Sequence, residues 1–122
     1  MRNPEGSDMP VELGYFTISV SDVKRAKGFY GRLFGWTFEP AAESESYAHV
    51  ANTKLPLGLN AGEPADLRSF YFRVDDIAAA IALVRELGGS VDGPHASPSG
   101  LGAACEDDQK TRFSLWQAAE GY

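Results

Sequence analysis

Residues 15–35 read YFTISVSDVKRAKGFYGRLFG, and residues 69–89 read SFYFRVDDIAAAIALVRELGG. In each stretch apolar and polar residues alternate, then an Asp gives way to apolar residues spaced by three and four, and a glycine closes the run. The first alternation extends from Val11 to Val20, with Phe16, Ile18 and Val20 on one side and Tyr15, Thr17 and Ser19 on the other, which predicts a half-buried strand. Ser21 or Asp22 then offers a helix N-cap, Val23, Ala26, Phe29, Tyr30 and Leu33 make one stripe, and Gly35 is placed to end the helix. The second stretch repeats this with Phe70, Phe72 and Val74, a cap at Asp75 or Asp76, a stripe of Ile77, Ala80, Ile81, Val84 and Leu87, and a stop at Gly88 and Gly89.

Working outward, each helix is followed by three short strand-like pieces. In the first half these are Trp36 to Glu39, Ser46 to Val50 and Lys54 to Asn60; in the second they lie around Ser90 to Val91, Ala103 to Glu106 and Thr111 to Gln117. Val20, Asp22, Val23, Ala26, Leu33 and Gly35 match Val74, Asp76, Ile77, Ala80, Leu87 and Gly89 at a constant offset of 54 residues. The closing strands match at a slightly larger offset, Thr53 to Leu57 against Thr111 to Leu115. The expected fold is α+β: two tandem βαβββ units forming a curved, cup-shaped mixed sheet with the helices on its outer face. The units are expected at residues 9–62 and 67–120 of one domain, 9–122, after a loose tail over residues 1–8, with Met9 as a candidate original start.

These stretches, with Ala26 to Trp36, Phe72 to Ile77, Leu87 to Gly89 and the ending Arg112 to Gln117, resemble the vicinal oxygen chelate superfamily, which includes glyoxalase I, extradiol dioxygenases, fosfomycin-resistance enzymes and bleomycin-resistance proteins. The likeness runs from Met9 onward. It implies that metal ligands, where a member has them, come from a first strand and a closing strand of each unit, as His and Glu. Those positions fall here on Tyr15 and Ser69, and on Pro56 and Ser114, none of which is an imidazole or a carboxylate. No metal and no cofactor is therefore expected. The nearest likeness is to the metal-free, drug-binding members, and single-domain members usually pair, so a homodimer with clefts at its interface is expected.

Composition narrows the remaining classes. The chain has 122 residues, a net charge of −6 and no cluster of Lys or Arg, which argues against nucleic-acid binding. No apolar run is long enough for a bilayer, and Met1 to Pro10 lacks the apolar stretch of a secretory signal, so a cytoplasmic protein is expected. Cys105 is the single cysteine and reads as a small buried residue. Asp107 and Asp108 read as part of a solvated hairpin turn, and His95 as part of a Pro- and Ser-rich loop between Gly93 and Gly100.

Strand alternation gives a lining for the cup. Tyr15 is expected to face it from the first strand, Ser69, Tyr71 and Arg73 from the second unit, and Ser114 and Trp116 from the closing strand, with Tyr47 and His49 on a middle strand. Gly58, matched to Trp116, would leave room for a ligand, and Trp36 belongs to the core or to the rim. Flat aromatic surfaces with a few hydrogen-bonding points suit a small apolar or aromatic organic ligand. The leading expectation is a metal-independent binding protein that sequesters a natural product or antibiotic, and catalysis ranks below binding. The runner-up is a metal-independent lyase, isomerase or cyclase on a secondary metabolite, with Tyr15, Arg73 or His49 as acid, oxyanion stabiliser or base. A metal-dependent glyoxalase or dioxygenase ranks last.

Overall fold

The computed structural model describes residues 10–40 and 44–122, so the expected tail at 1–8 and Met9 lie outside the described residues. Nine elements follow in order: β1 (Phe16–Val20), α1 (Val23–Phe34), β2 (Tyr47–Val50), β3 (Leu57–Ala61), β4 (Asp66–Arg73), α2 (Ile77–Glu86), β5 (Ser90–Ser97), β6 (Gly100–Glu106) and β7 (Arg112–Ala118).

Both helices begin where the sequence places a cap. The Asp22 carboxylate accepts from the Arg25 N–H at 3.1 Å, and that of Asp76 from the Ala79 N–H at 3.0 Å. Gly35 ends α1 with φ of +70°, a left-handed conformation that a Cβ would disfavour. The stripes then do what their spacing requires: Val23, Ala26, Phe29 and Tyr30 of α1, and Ile77, Ile81 and Val84 of α2, are buried.

The sheets repeat one topology. In each unit the first strand lies parallel to the last, β1 against β3 and β4 against β7, and the preceding strands are antiparallel. The orders are β1-β3-β2 and β4-β7-β6-β5, so the mixed sheet is in two pieces of three and four strands. The expected strand at Trp36 to Glu39 contributes a single bridge, Phe38 to Val50, which stands where β5 stands in the second unit. The first alternation also joins its sheet later than the pattern suggests, at Phe16, since among the described residues no strand pairs with residues 10–15.

One hydrophobic core lies between the sheets and the helices and joins both units. Phe113 of β7 makes edge contacts with Phe29 and Tyr30 of α1 at centroid distances of 6.4 and 5.7 Å. Cys105 is buried in that core. The β6–β7 turn is a second joint, and here the structure corrects the sequence reading. The turn is not solvated: Asp107 is only 3% exposed and accepts from the Tyr30 hydroxyl at 2.7 Å and from the Gln109 and Thr111 N–H groups at 2.8 and 3.0 Å. Gln109 closes on α1 from the other side, its amide donating to the Asp22 carbonyl at 3.0 Å, while Asp108 pairs with Arg25 at 3.0 Å. The polar composition of the turn serves the other unit rather than water.

Candidate functional site

With one face of each sheet packed under its helix, the other face is left open. On the second sheet it holds a cavity of about 660 Å³, lined by Tyr71 of β4, Ser114 and Trp116 of β7, Gly102 and Ala104 of β6, and His95 to Ser97 of β5. The register explains the hollow. Trp116 pairs with Gly102, which in turn pairs with His95, and Ser114 pairs with Ala104, so the two residues beside the indole and the hydroxyl are too small to fill the space. Arg73 lies over the Trp116 ring at 5.4 Å, and the indole N–H donates to the Ser99 carbonyl at 3.2 Å, which fixes the ring as one wall.

His95 is thus in a strand and not in a loop. Gly93 and Pro94 break the alternation that would have marked β5, and they sit in a bulge between Asp92 and His95. Proline is tolerated there because β5 is the edge of its sheet.

The first sheet carries a different set on its open face. Tyr15, just ahead of β1, hydrogen-bonds through its hydroxyl to the Tyr47 hydroxyl and lies 3.0 Å from His49 Nδ1, with the Tyr15 and His49 rings stacked at 5.7 Å. Tyr47 lies across Gly58: a Cβ at 58 would come within 2.6 and 2.7 Å of Tyr47 Cε1 and Cζ. The space at Gly58 therefore belongs to Tyr47, and the glycine that leaves room beside Trp116 is Gly102.

The other expected residues are placed as follows. Ser69 is exposed on β4 and does not line the cavity. Trp36 packs against Tyr30, Phe34 and Phe72 at 5.7, 5.1 and 6.0 Å, and lines a separate hollow of about 490 Å³ on the helix side with Asp75 and Asp76. A further hollow, about 810 Å³ at the start of α1, is lined by charged residues such as Lys24, Lys27 and Glu45 and touches none of the expected residues. His95, Ala96, Ser97, Ser99, Gly102, Ala103 and Ala104 were missed as lining; the signal that finds Gly102 and Ala104 is their alternation along β6, once its pairing with β7 is known.

Register also moves one position in the metal argument. Thr17 pairs with Gly58 as Tyr71 pairs with Ser114, so the counterpart of Ser114 is Gly58 and not Pro56, which lies ahead of β3. The four positions hold a phenol, no side chain at all, and two serines. The Ser114 hydroxyl is already engaged, donating to the Arg68 carbonyl at 2.7 Å. Among the described residues no three His, Cys, Asp or Glu side chains converge. This donor set does not fit a divalent cation.

Ionisation in the interior follows burial. Burial pushes the Asp107 carboxyl above its ordinary value, against hydrogen bonds from Tyr30, Gln109 and Thr111 that pull it down. Burial and then the Asp107 charge push the Tyr30 hydroxyl well up, and burial takes the Cys105 thiol to about 12. None of these groups faces the cavity. Among the described residues no helix is long and apolar enough to cross a membrane.

Comparison with known proteins agrees with this fold. Residues 12–115 match the model of the Glyoxalase/Bleomycin resistance protein/Dioxygenase superfamily. The chain is similar to the crystal structure of TnmS3, an antibiotic binding protein from Streptomyces sp. CB03234, at 28% identity and a TM-score of 0.68, over 90% of this chain and 98% of that one. It is similar to a glyoxalase/bleomycin resistance protein from the same organism at 29% identity and a TM-score of 0.64, over 87% of this chain and 100% of that one. A bleomycin-binding protein from Streptomyces verticillus, complexed with copper(II)-bleomycin, shares the fold at 17% identity and a TM-score of 0.62, over 91% of this chain and 100% of that one. No curated protein matches the chain.

Proposed function

We propose that this chain, which belongs to the Glyoxalase/Bleomycin resistance protein/Dioxygenase superfamily, binds a largely apolar, aromatic small molecule stoichiometrically and without a metal, and so sequesters an antibiotic or related natural product in the cytoplasm. The observation that carries this reading is the cavity on the second sheet. Its volume of about 660 Å³ is of the size that holds a drug-sized molecule, and Tyr71 and Trp116 offer flat surfaces with Ser97, Ser114 and His95 as polar points. Small residues at Gly102 and Ala104 let a planar ligand lie close to the sheet. The similarity to an antibiotic binding protein at 28% identity over 90% of this chain supports the same direction.

The site is taken to be completed by a second copy in a homodimer. Val11, Leu13 and Tyr15 ahead of β1, and Phe70 and Tyr71 on β4, are exposed apolar or aromatic side chains, and burial against a second copy would cover such surface. Quenching of Trp116 fluorescence by a panel of polyketide and peptide antibiotics tests the reading, with sedimentation of the free and loaded protein for the dimer. Saturable binding of at least one compound at one per chain is expected. A broad panel without saturation defeats it.

A further inference from the structure

The hollow of about 490 Å³ on the helix side lies between the end of α1 and the start of α2, apart from the cavity on the second sheet. Phe34, Trp36 and Phe72 line it together, with ring centroids 4.9 Å apart for Phe34 and Phe72, 5.1 Å for Phe34 and Trp36, and 6.0 Å for Trp36 and Phe72. At those spacings the rings make one continuous wall. All three are only half-buried, so the wall keeps an uncovered face.

The backbone on either side of Trp36 is pinned. Gly35 turns the chain with φ of +70°, and the Asn52 side chain accepts from the Thr37 N–H and donates to the Gly35 carbonyl, both at 2.9 Å. A tryptophan clamped at both flanking peptides is in place before a ligand arrives, which lowers the entropy cost of binding.

The rim of the hollow is negative. The start of a helix carries a partial positive charge, and Asp76 answers it as the N-cap of α2, accepting from the Ala79 N–H at 3.0 Å. Asp75 is surplus to that role: among the described residues no hydrogen bond or ion pair engages its carboxylate. Arg73 is the one cation of the lining among the described residues, and its guanidinium is drawn over Trp116 at 5.4 Å, on the other face of β4 from Phe72. Arg32 of α1 is taken by Glu86 of α2 at 3.0 Å. An aromatic wall beside an unneutralised carboxylate suits a cation with an apolar body, since the ring faces and the carboxylate attract the same charge and the body covers the exposed rings.

We propose that this hollow is a second ligand site, for a small organic cation, a quaternary or protonated amine that carries an apolar group. Trp36, Phe34 and Phe72 hold the apolar group and one face of the ammonium, and Asp75 supplies the counter-charge. The site is independent of the cavity beside Trp116.

The test uses the full chain with benzyltrimethylammonium and with benzyldimethylamine N-oxide, which has nearly the same shape and no net charge. The indole N–H resonances of Trp36 and Trp116, assigned through Trp36→Phe, report the two sites separately. Benzyltrimethylammonium is expected to move the Trp36 resonance saturably and leave that of Trp116 in place, while the N-oxide binds at least about fivefold more weakly. Asp75→Asn, at an exposed position, is expected to fold as the wild type does and to weaken the cation about threefold while leaving the N-oxide unchanged. A Trp36 resonance that does not move or does not saturate, an N-oxide that binds as tightly as the cation, or a cation affinity unchanged in Asp75→Asn overturns the proposal.

Discussion

Replacing Tyr30 by Phe removes one hydroxyl and little else, because the ring keeps its edge contacts with Phe29 and Phe113 at 5.0 and 5.7 Å. What is lost is the 2.7 Å bond to Asp107, whose carboxylate is then left with two backbone N–H donors in a site only 3% exposed. A hydrogen bond to a buried charge contributes about 1.5–3 kcal/mol, so at pH 7 the variant should lose about 2 kcal/mol, roughly 8 °C in Tm for a domain of this size. The pH dependence follows from the sign of the shift. In the folded chain the Asp107 carboxyl lies above its ordinary value of 3.8, so the folded state holds that proton more tightly than the unfolded chain does. Its contribution to stability is therefore full below 3.8 and is lost as pH rises through the folded value. Removing the Tyr30 donor raises that folded value further, so the cost of Tyr30→Phe should shrink to about 1 kcal/mol near pH 3, where Asp107 is neutral and the lost bond is an ordinary one. Urea unfolding of both proteins at the two pH values measures this. A cost under about 0.5 kcal/mol at pH 7, or an equal cost at both, would refute the claim that this turn carries a buried charge bonded across the units.

The cavity itself predicts that Trp116→Ala weakens any ligand that quenches the protein by at least about tenfold, since a stacking wall and its Arg73 contact go together, while Trp36→Phe changes affinity little; titration by fluorescence distinguishes them. Gly58→Ala should fold, with stability changed by less than about 1 kcal/mol, because the atoms nearest its Cβ all belong to the end of the Tyr47 side chain, and the tyrosine absorbance should report the Tyr47 hydroxyl leaving that of Tyr15. Cys105, buried and with its thiol pushed up to about 12, should resist a thiol reagent in the native protein and react at the rate of unfolding; prompt labelling at pH 8 would contradict its burial.

How far the sequence carried the reading depends on whether a feature is local. The two helices were legible because an Asp cap, a stripe and a glycine stop all lie within a single short stretch of chain, and Asp22, Asp76 and Gly35 do what their types dictate. β5 was legible only at its start, Ser90 to Val91, because Gly93 and Pro94 interrupt its pattern and the rest of the strand is held by pairing with β6, a contact that no local window contains. The closing strand of the first unit was misaligned for a similar reason. Thr53 to Leu57 looks like Thr111 to Leu115, but parallel pairing with β1 fixes the register, and Phe16 opposite Leu57 decides it. The lining suffered in proportion: the alternation identified Tyr71, Ser114 and Trp116, and the wrong register put the vacant glycine at 58 instead of 102.

The two open faces pose one further physical question. A planar molecule lying on Trp116 and Tyr71 has a wall on one side only, since the cavity opens away from the sheet and the exposed side chain of Tyr71 flanks it without covering it. Pockets that hold drug-sized molecules tightly enclose 70–90% of the ligand surface, and a single wall falls well short of that. The missing wall would have to come from elsewhere, and the molecule leaves apolar or aromatic side chains uncovered at Val11, Leu13 and Tyr15 ahead of β1 and at Phe70 and Tyr71 on β4. Burial of that surface between two copies would supply both the association energy and the second wall. In the proposed dimer, ligand affinity and self-association would be linked, each strengthening the other by the same factor.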